Sequence, residues 1–335
     1  MLSDRLVNPT ELARRSLTHT AKQREPVRPC ECAIMGTAII VQGTWLKIAM
    51  LKDEDYQEHA VLASIHGLDA QVQGLLAAHA DILTFAQKST DPVPHCPYRY
   101  EWDSVAAIPI RSYDDWWTNR VSGDLRKDVR RAAKRGVIVR SVAFTDDLVR
   151  QIKKIYDETP IRQGRPFWHY QKPLDVVKAE NSTYLERSEF LGAFCGDELI
   201  GFVKIVFAGQ LACLMQIIAK DAHRDKRPMN ALIAKTVEVS AAKSCIQLTY
   251  GKYRYYGVDS SLTAFKHRNG FEEILVPKYY VPLTKKGSIA LAFGFHRELR
   301  AMLPVPIRRL VKRLRAVVYK QSSQTQKAVD ILAER

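Results

Sequence analysis

The chain holds six cysteines in 335 residues and no CxxC pair, which argues against a disulfide scaffold or a paired-cysteine metal site. Cys30 and Cys32 form a CxC, but no second ligand pair follows. There is no HExxH and no GxSxG, so zinc-hydrolase and nucleophile-elbow chemistry have no anchor. Long apolar runs are also missing. The longest uncharged stretches, residues 32–46 and 205–219, are 15 residues each, short of the roughly 18–20 that cross a bilayer. The start, MLSDRLVNPTELARRS, has charges where a secretory signal needs an apolar segment. No internal repeat, low-complexity segment or compact DNA-reading motif is visible. These absences predict a cytoplasmic protein with no metal and no sequence-specific DNA partner.

Acidic residues are scarce relative to basic ones, and the formal net charge is +15. Such an excess suits anionic partners: CoA phosphates, tRNA, nucleotide sugars or acidic lipid. Residues 120–140 hold eight Lys/Arg against Asp124 and Asp128. Residues 304–320 contain no acid, and Ile307, Leu310, Val311, Leu314, Val317 and Val318 form one apolar stripe flanked by arginines and lysines. That pattern fits an interfacial helix on anionic lipid, and equally a helix packed on its own domain with solvated flanks.

The apolar fraction of 46% supports a packed core, and the length favours two domains. Residues 1–33 read as a mobile polar arm. Residues 34–112 read as a small α/β half: strand-like around Gln42-Gly43, a helix over 69–79, and strands at 81–85 and 104–110. A long basic helix is expected from about Tyr113 to Lys134, then a strand over 137–142 and helices over 146–158 and 172–180. Residues 159–170, TPIRQGRPFWHY, read as a loop.

The region 190–283 is the most ordered in pattern. Residues 190–195, 199–207 and 211–219 are three apolar runs separated by turn signals. Met229, Leu232, Ile233, Thr236, Val237 and Ser240 then recur at helical spacing. A strand over 245–250, a helix over 259–268 closed by Asn269-Gly270, and strands at 272–276 and 279–283 complete it.

Three segments carry a family likeness: LRKDVRRAAKRGVIVR at 125–140, RPMNAL at 227–232 and LTAFKHRNGF at 262–271. In this order they resemble the Gcn5-related N-acyltransferases (GNAT), and within them the FemAB-like tandem-GNAT branch. The likeness covers residues 113–284, about half of the chain. It implies a mixed, mostly antiparallel GNAT-like sheet flanked by helices, arranged as two GNAT-like halves. Residues 34–112 would be the first half, residues 113–284 the acyltransferase half and residues 285–335 a basic amphipathic helical tail. It also implies acyl transfer, with acyl-CoA or aminoacyl-tRNA as co-substrate and no tightly bound cofactor.

The sequence departs from the family at the CoA loop. A glycine-rich R/Q-x-x-G-x-G/A turn offers backbone N–H groups to a pyrophosphate at a helix N-terminus. Here Arg227 and Met229 stand where glycines would. Arg224, Lys226, Arg227 and Asn230 are therefore the candidate donor-binding side chains, with a solvated basic turn as the alternative.

N-acyl transfer requires an amine to lose a proton, a carbonyl to be polarised and a leaving group to be protonated. Tyr256 is a candidate acid and Asp259 a candidate base, though Asp259 also suits a helix cap. Glu158, at a helix end, is a second candidate base. Lys266 matches a lysine that the family resemblance places at the acyl-donor site; otherwise it is a surface helix lysine. Arg162 and Arg165 offer anion contacts, Trp168 and His169 a stacking surface, and Tyr250 a wall facing the acyl group. The expected activity moves an acyl or aminoacyl group to an amine, on a cell-envelope sugar or peptide precursor, with the basic tail offering a contact at the inner membrane face. The alternative is a GNAT-like scaffold without catalysis that binds a polyanion or a protein.

Overall fold

The computed structural model describes residues 30–34, 37–58, 70–162, 165–255 and 257–297. The expected tail contact over 304–320, most of the expected N-terminal arm, and Tyr256 lie outside the described residues.

One mixed sheet of eleven strands organises the described residues, in the order β1-β2-β3-β4-β13-β5-β12-β11-β10-β9-β6. In chain order these are β1 (Cys30–Ile34), β2 (Thr37–Gln42), β3 (Ile48–Leu51), β4 (Ile82–Ala86), β5 (Arg99–Pro109) and β6 (Val137–Val142). After a two-strand ribbon, β7 (Ile161–Arg162) and β8 (Arg165–Pro166), come β9 (Ser188–Cys195), β10 (Glu198–Ala208), β11 (Leu211–Ala219), β12 (Gln247–Lys252) and β13 (Glu272–Pro282). Neighbours are antiparallel except for β3–β4 and β11–β12. Each of those two parallel pairs needs a crossover. The Ala70–Ala77 helix lies between β3 and β4, and the Pro228–Ala242 helix between β11 and β12. The same construction thus occurs once in each half.

β10, ELIGFVKIVFA, is buried along nearly its whole length because both faces of the sheet are covered there. On one face Val203, Ile205 and Leu214 pack with Leu125 and Ala132 of the Gly123–Lys134 helix and with Leu232, Ile233 and Val237 of the Pro228–Ala242 helix. On the other, Phe202 and Phe190 meet Leu148, Ile152, Ile155 and Tyr156 of the Asp146–Tyr156 helix. A separate core joins Ile39, Ala49, Leu83 and Phe85 to Tyr279 and Val281.

Several sequence expectations change. The segment expected as one helix from Tyr113 is broken. A turn at Tyr113–Asp115 runs into a π-turn at Trp116–Arg120, and the helix restarts at Gly123 because the Ser122 hydroxyl accepts from Leu125 N (3.2 Å). The two strands expected at 272–276 and 279–283 are one strand, β13, passing straight through Pro277. The carbonyl of Pro277 accepts from Gln87 N (3.0 Å). Its nitrogen turns the same way, so the bond that proline forgoes is the reciprocal one to Gln87, just past the end of β4. Cys30–Ile34, which takes in the last four residues of the expected arm, forms edge strand β1. Finally, β5 lies between β12 and β13, with Leu248↔Ile108 on one side and Tyr279↔Tyr100 on the other. The sheet therefore runs without a break across the boundary expected at 112.

Candidate active site

β11 and β12 pair only at Leu211↔Gln247, Ala212↔Leu248 and Cys213↔Thr249. Beyond Cys213, β11 stays with β10 as far as Gly201↔Ala219, while β12 stays with β5. The two parallel neighbours thus part toward their carboxyl ends. This is where open α/β sheets hold ligands. A bulge at Met215 sharpens the divergence, since Lys204 pairs with Gln216 but Ile205 with Leu214.

Lys266 stands at the β12 side of this wedge. It is fully buried, not a surface lysine. Its Nζ donates to the carbonyls of Tyr250 (2.5 Å) and Lys252 (2.7 Å) and lies 4.3 Å from the centre of the Tyr250 ring. Burial depresses its pKa to about 7, with Asp55 pulling the other way. Lys266 and Tyr250 are thus brought together. Burial raises the Tyr250 phenol well above the ordinary range.

The N-terminus of the Pro228–Ala242 helix closes the far end of β11. Arg227 is left-handed (φ 58°). It adopts the conformation a glycine would, at a cost of about 1 kcal/mol, and its side chain turns to Asp128 (3.1 Å) on the neighbouring helix. Lys226 Nζ lies 3.0 Å from Cys195 Sγ, and Asn230 donates to Asn269 (3.1 Å), a buried residue at the end of the Lys266 helix. Of the four donor-binding candidates, Arg224 is the one on the exposed surface.

On the β11 side, Glu158 receives Asp221 N (2.7 Å), Ala222 N (2.9 Å) and Arg162 (3.2 Å). Both of its oxygens hold the turn at 221–226, so the carboxylate sits as a cap. Arg162 also donates to Ala219 O (2.8 Å) and Ile155 O (3.1 Å), which ties β7 to the end of β11. His169 stacks on Tyr156 (4.3 Å) and touches Gln216 next to the bulge (3.1 Å). Burial, with Lys172 and Arg162 adding to it, lowers its pKa to about 4, so the ring is neutral near pH 7. Trp168 is exposed with Lys172 Nζ 3.1 Å from its ring centre, and Arg165 is exposed.

Asp259 lies apart from this group. It pairs with Arg254 (2.9 Å) beside a cavity of about 380 Å³ lined by Tyr253, Thr263 and His267. It does not cap the helix. Ser260 does, through a reciprocal pair with Thr263.

The sequence reading missed a contribution from the first half. The turn at Glu54–Tyr56 docks over β11, where Cys213 Sγ lies 3.3 Å from Asp55 O. Lys88 donates to the carbonyls of Glu54 (2.8 Å) and Asp55 (3.3 Å). Glu54 accepts from Ala86 N (2.6 Å), and burial pushes its carboxyl up to about 7. Tyr184 donates to Asp53 (2.9 Å), and Arg187 donates to Tyr56 O (2.7 Å). Local pattern offers no signal for this docking, because β4 reaches the second half only through β13.

No family model matches the sequence, and a comparison with curated proteins returns no match. Among solved structures, the chain is similar to the C-terminal domain of a protein assigned as a lysylphosphatidylglycerol synthetase from Agrobacterium fabrum. The TM-score is 0.51 at 16% identity, over 76% of this chain and 83% of that one. It is also similar to FemX, with a TM-score of 0.50 at 13% identity over 76% and 86%. The strand order, the two parallel crossovers and these similarities together identify a tandem-GNAT, FemAB-like fold.

Proposed function

We propose that this chain is an N-acyltransferase that moves an acyl or aminoacyl group from an anionic donor to an amine. The observation that carries the reading is the β11–β12 wedge with the buried, near-neutral Lys266 on its wall. In the reaction the amine attacks the donor's carbonyl carbon and a C–N bond forms. The C–S bond of a thioester, or the C–O bond of an aminoacyl ester, breaks. The amine gives up a proton and the leaving group gains one. A lysine with pKa near 7 exchanges a proton at neutral pH in either direction. It also offers positive charge to the carbonyl oxygen as that oxygen turns anionic. Asp55, whose charge reaches Lys266, brings the first half to the same centre. His169, Trp168 and Arg165 form the acceptor side. Asp259 is a candidate base only for an acceptor that extends to the Arg254 cavity. A cell-envelope amine, and contact of residues 304–320 with an anionic membrane, belong to this proposal by analogy of fold.

A second reading is a scaffold without catalysis. It is favoured by the engagement of Lys226, Arg227 and Asn230 with Cys195, Asp128 and Asn269 of the same chain. Calorimetry with acetyl-CoA, a longer acyl-CoA and charged tRNA, paired with mass detection of an acylated amine, separates the two. Saturable donor binding that Lys266→Met abolishes together with product supports the transferase. Absence of binding by all three donors removes it and leaves the scaffold.

A further inference from the structure

An aromatic surface with a basic rim stands on the first half, where the Lys285–Phe293 helix packs on Leu46, Ile48, Ile82 and Tyr280. The Lys285–Phe293 helix packs inward through Gly287, Ala290 and Leu291. Its outer face carries Lys285, Ile289 and Phe293 at i, i+4 and i+8, with Ile289 57% and Phe293 69% exposed. Phe295, 50% exposed, stacks on Phe293 with ring centres 5.9 Å apart. Trp45, 62% exposed on the turn between β2 and β3, meets Phe295 edge-on at 6.0 Å. Lys286 binds the Trp45 carbonyl (2.7 Å), which holds that turn against the helix. Lys47 and Lys285 are exposed on the same two segments, the turn after β2 and the Lys285–Phe293 helix. The acids in its hydrogen-bond network are engaged by cations: Asp81 by Lys286 (2.8 Å) and Glu101 by Arg297 (2.8 Å). The chain then continues into residues 298–320, which hold seven Lys/Arg and one acid, Glu298.

We propose that Trp45, Ile289, Phe293 and Phe295 form a docking face that inserts into the interfacial layer of an anionic lipid bilayer. Amphipathic aromatics favour the headgroup level of a membrane. Lysines beside them gain from a negative surface potential that decays within a Debye length. Clustered exposed aromatics are costly to leave in water and mark an interaction site. The positive rim selects an anionic partner, and the bilayer offers both negative charge and an apolar layer. The inference concerns the folded face and does not rest on the acyl-transfer reading.

The test uses the full chain and sedimentation with vesicles of phosphatidylcholine alone or mixed with phosphatidylglycerol. Binding to the anionic vesicles that weakens as salt rises is expected. The Trp45→Ser/Phe293→Ser/Phe295→Ser variant should lose at least about tenfold in partition while its circular dichroism is unchanged. Ile289→Glu, a single change on the helix's outer face, should show a loss of the same sign if the triple variant fails to fold. Unaltered binding by a folded variant overturns the proposal, because residues 298–335 would then suffice. Absence of wild-type binding to anionic vesicles overturns it too. So does a vesicle-free dimer that the substitutions convert to monomer, which would assign the face to a second copy of the chain.

Discussion

Replacing Lys266 by methionine tests the wedge through stability as well as activity. In the folded protein the ammonium is removed from water and its pKa falls from 10.5 to about 7. The folded pKa is depressed, so between these values the unfolded chain binds more protons than the folded one. Stability therefore rises as pH increases through this window and is lost as pH falls through the folded value. From pH 7 to pH 9 the gain amounts to about 2 kcal/mol for this one group. Methionine has similar length but no titration, so the variant should lack that increment. It also leaves the carbonyls of Tyr250 and Lys252 without their donor, at about 1–3 kcal/mol each. Removing a buried ammonium offsets part of this at pH 7 and little of it at pH 9. The variant should therefore be only modestly weaker at pH 7 and several kcal/mol weaker at pH 9. Urea denaturation of both proteins at pH 7, 8 and 9 measures the difference. Lys204, whose pKa burial lowers to about 8, and Glu54 titrate in both proteins and cancel. Parallel pH dependences for the wild type and Lys266→Met would refute the argument that this amine is buried and near-neutral.

Two further outcomes follow from the same geometry. A Cβ on Gly287 would lie 1.9 Å from the backbone oxygen of Asp81, an atom that cannot swing away. Gly287→Ala should therefore lift the Lys285–Phe293 helix off β4, cost at least about 2 kcal/mol and show as a lower midpoint in thermal denaturation. His169, depressed to about 4 by burial, contributes stability that is present above pH 6.5 and lost as pH falls toward 4. His169→Gln should flatten the pH dependence in that window, and an NMR titration should find the wild-type ring changing state near pH 4, not near 6.5.

Much of the second half was legible because its signals are local. The runs that became β9, β10 and β11 are bounded by turn residues, and the Pro228–Ala242 helix repeats its apolar positions at helical spacing. Lys266 was singled out by resemblance, but its burial was not legible. A lysine beside His267 and Arg268 reads as solvated until β12 is known to end above it. Arg227 stands where the family resemblance implies a glycine, and how the position is accommodated was not legible: the backbone takes the left-handed conformation and Asp128 draws the side chain aside. The Glu54–Tyr56 turn was invisible because its position depends on sheet order. That order follows from pairings between residues more than 150 apart, such as Tyr279↔Tyr100, for which periodicity carries no information.

The placement of β13 has a consequence for biosynthesis. Translation delivers β4 and β5 long before β13, yet both need β13 as their neighbour. Until then the nascent chain carries two open strand edges and an incomplete first core, because Tyr279 and Val281 have not arrived. Open edges invite pairing with other chains. Chaperone engagement should therefore be longest over the interval between the synthesis of residues 109 and 282. A transcript truncated between codons 268 and 272 should yield aggregate, even though its encoded chain already contains β11, β12 and Lys266.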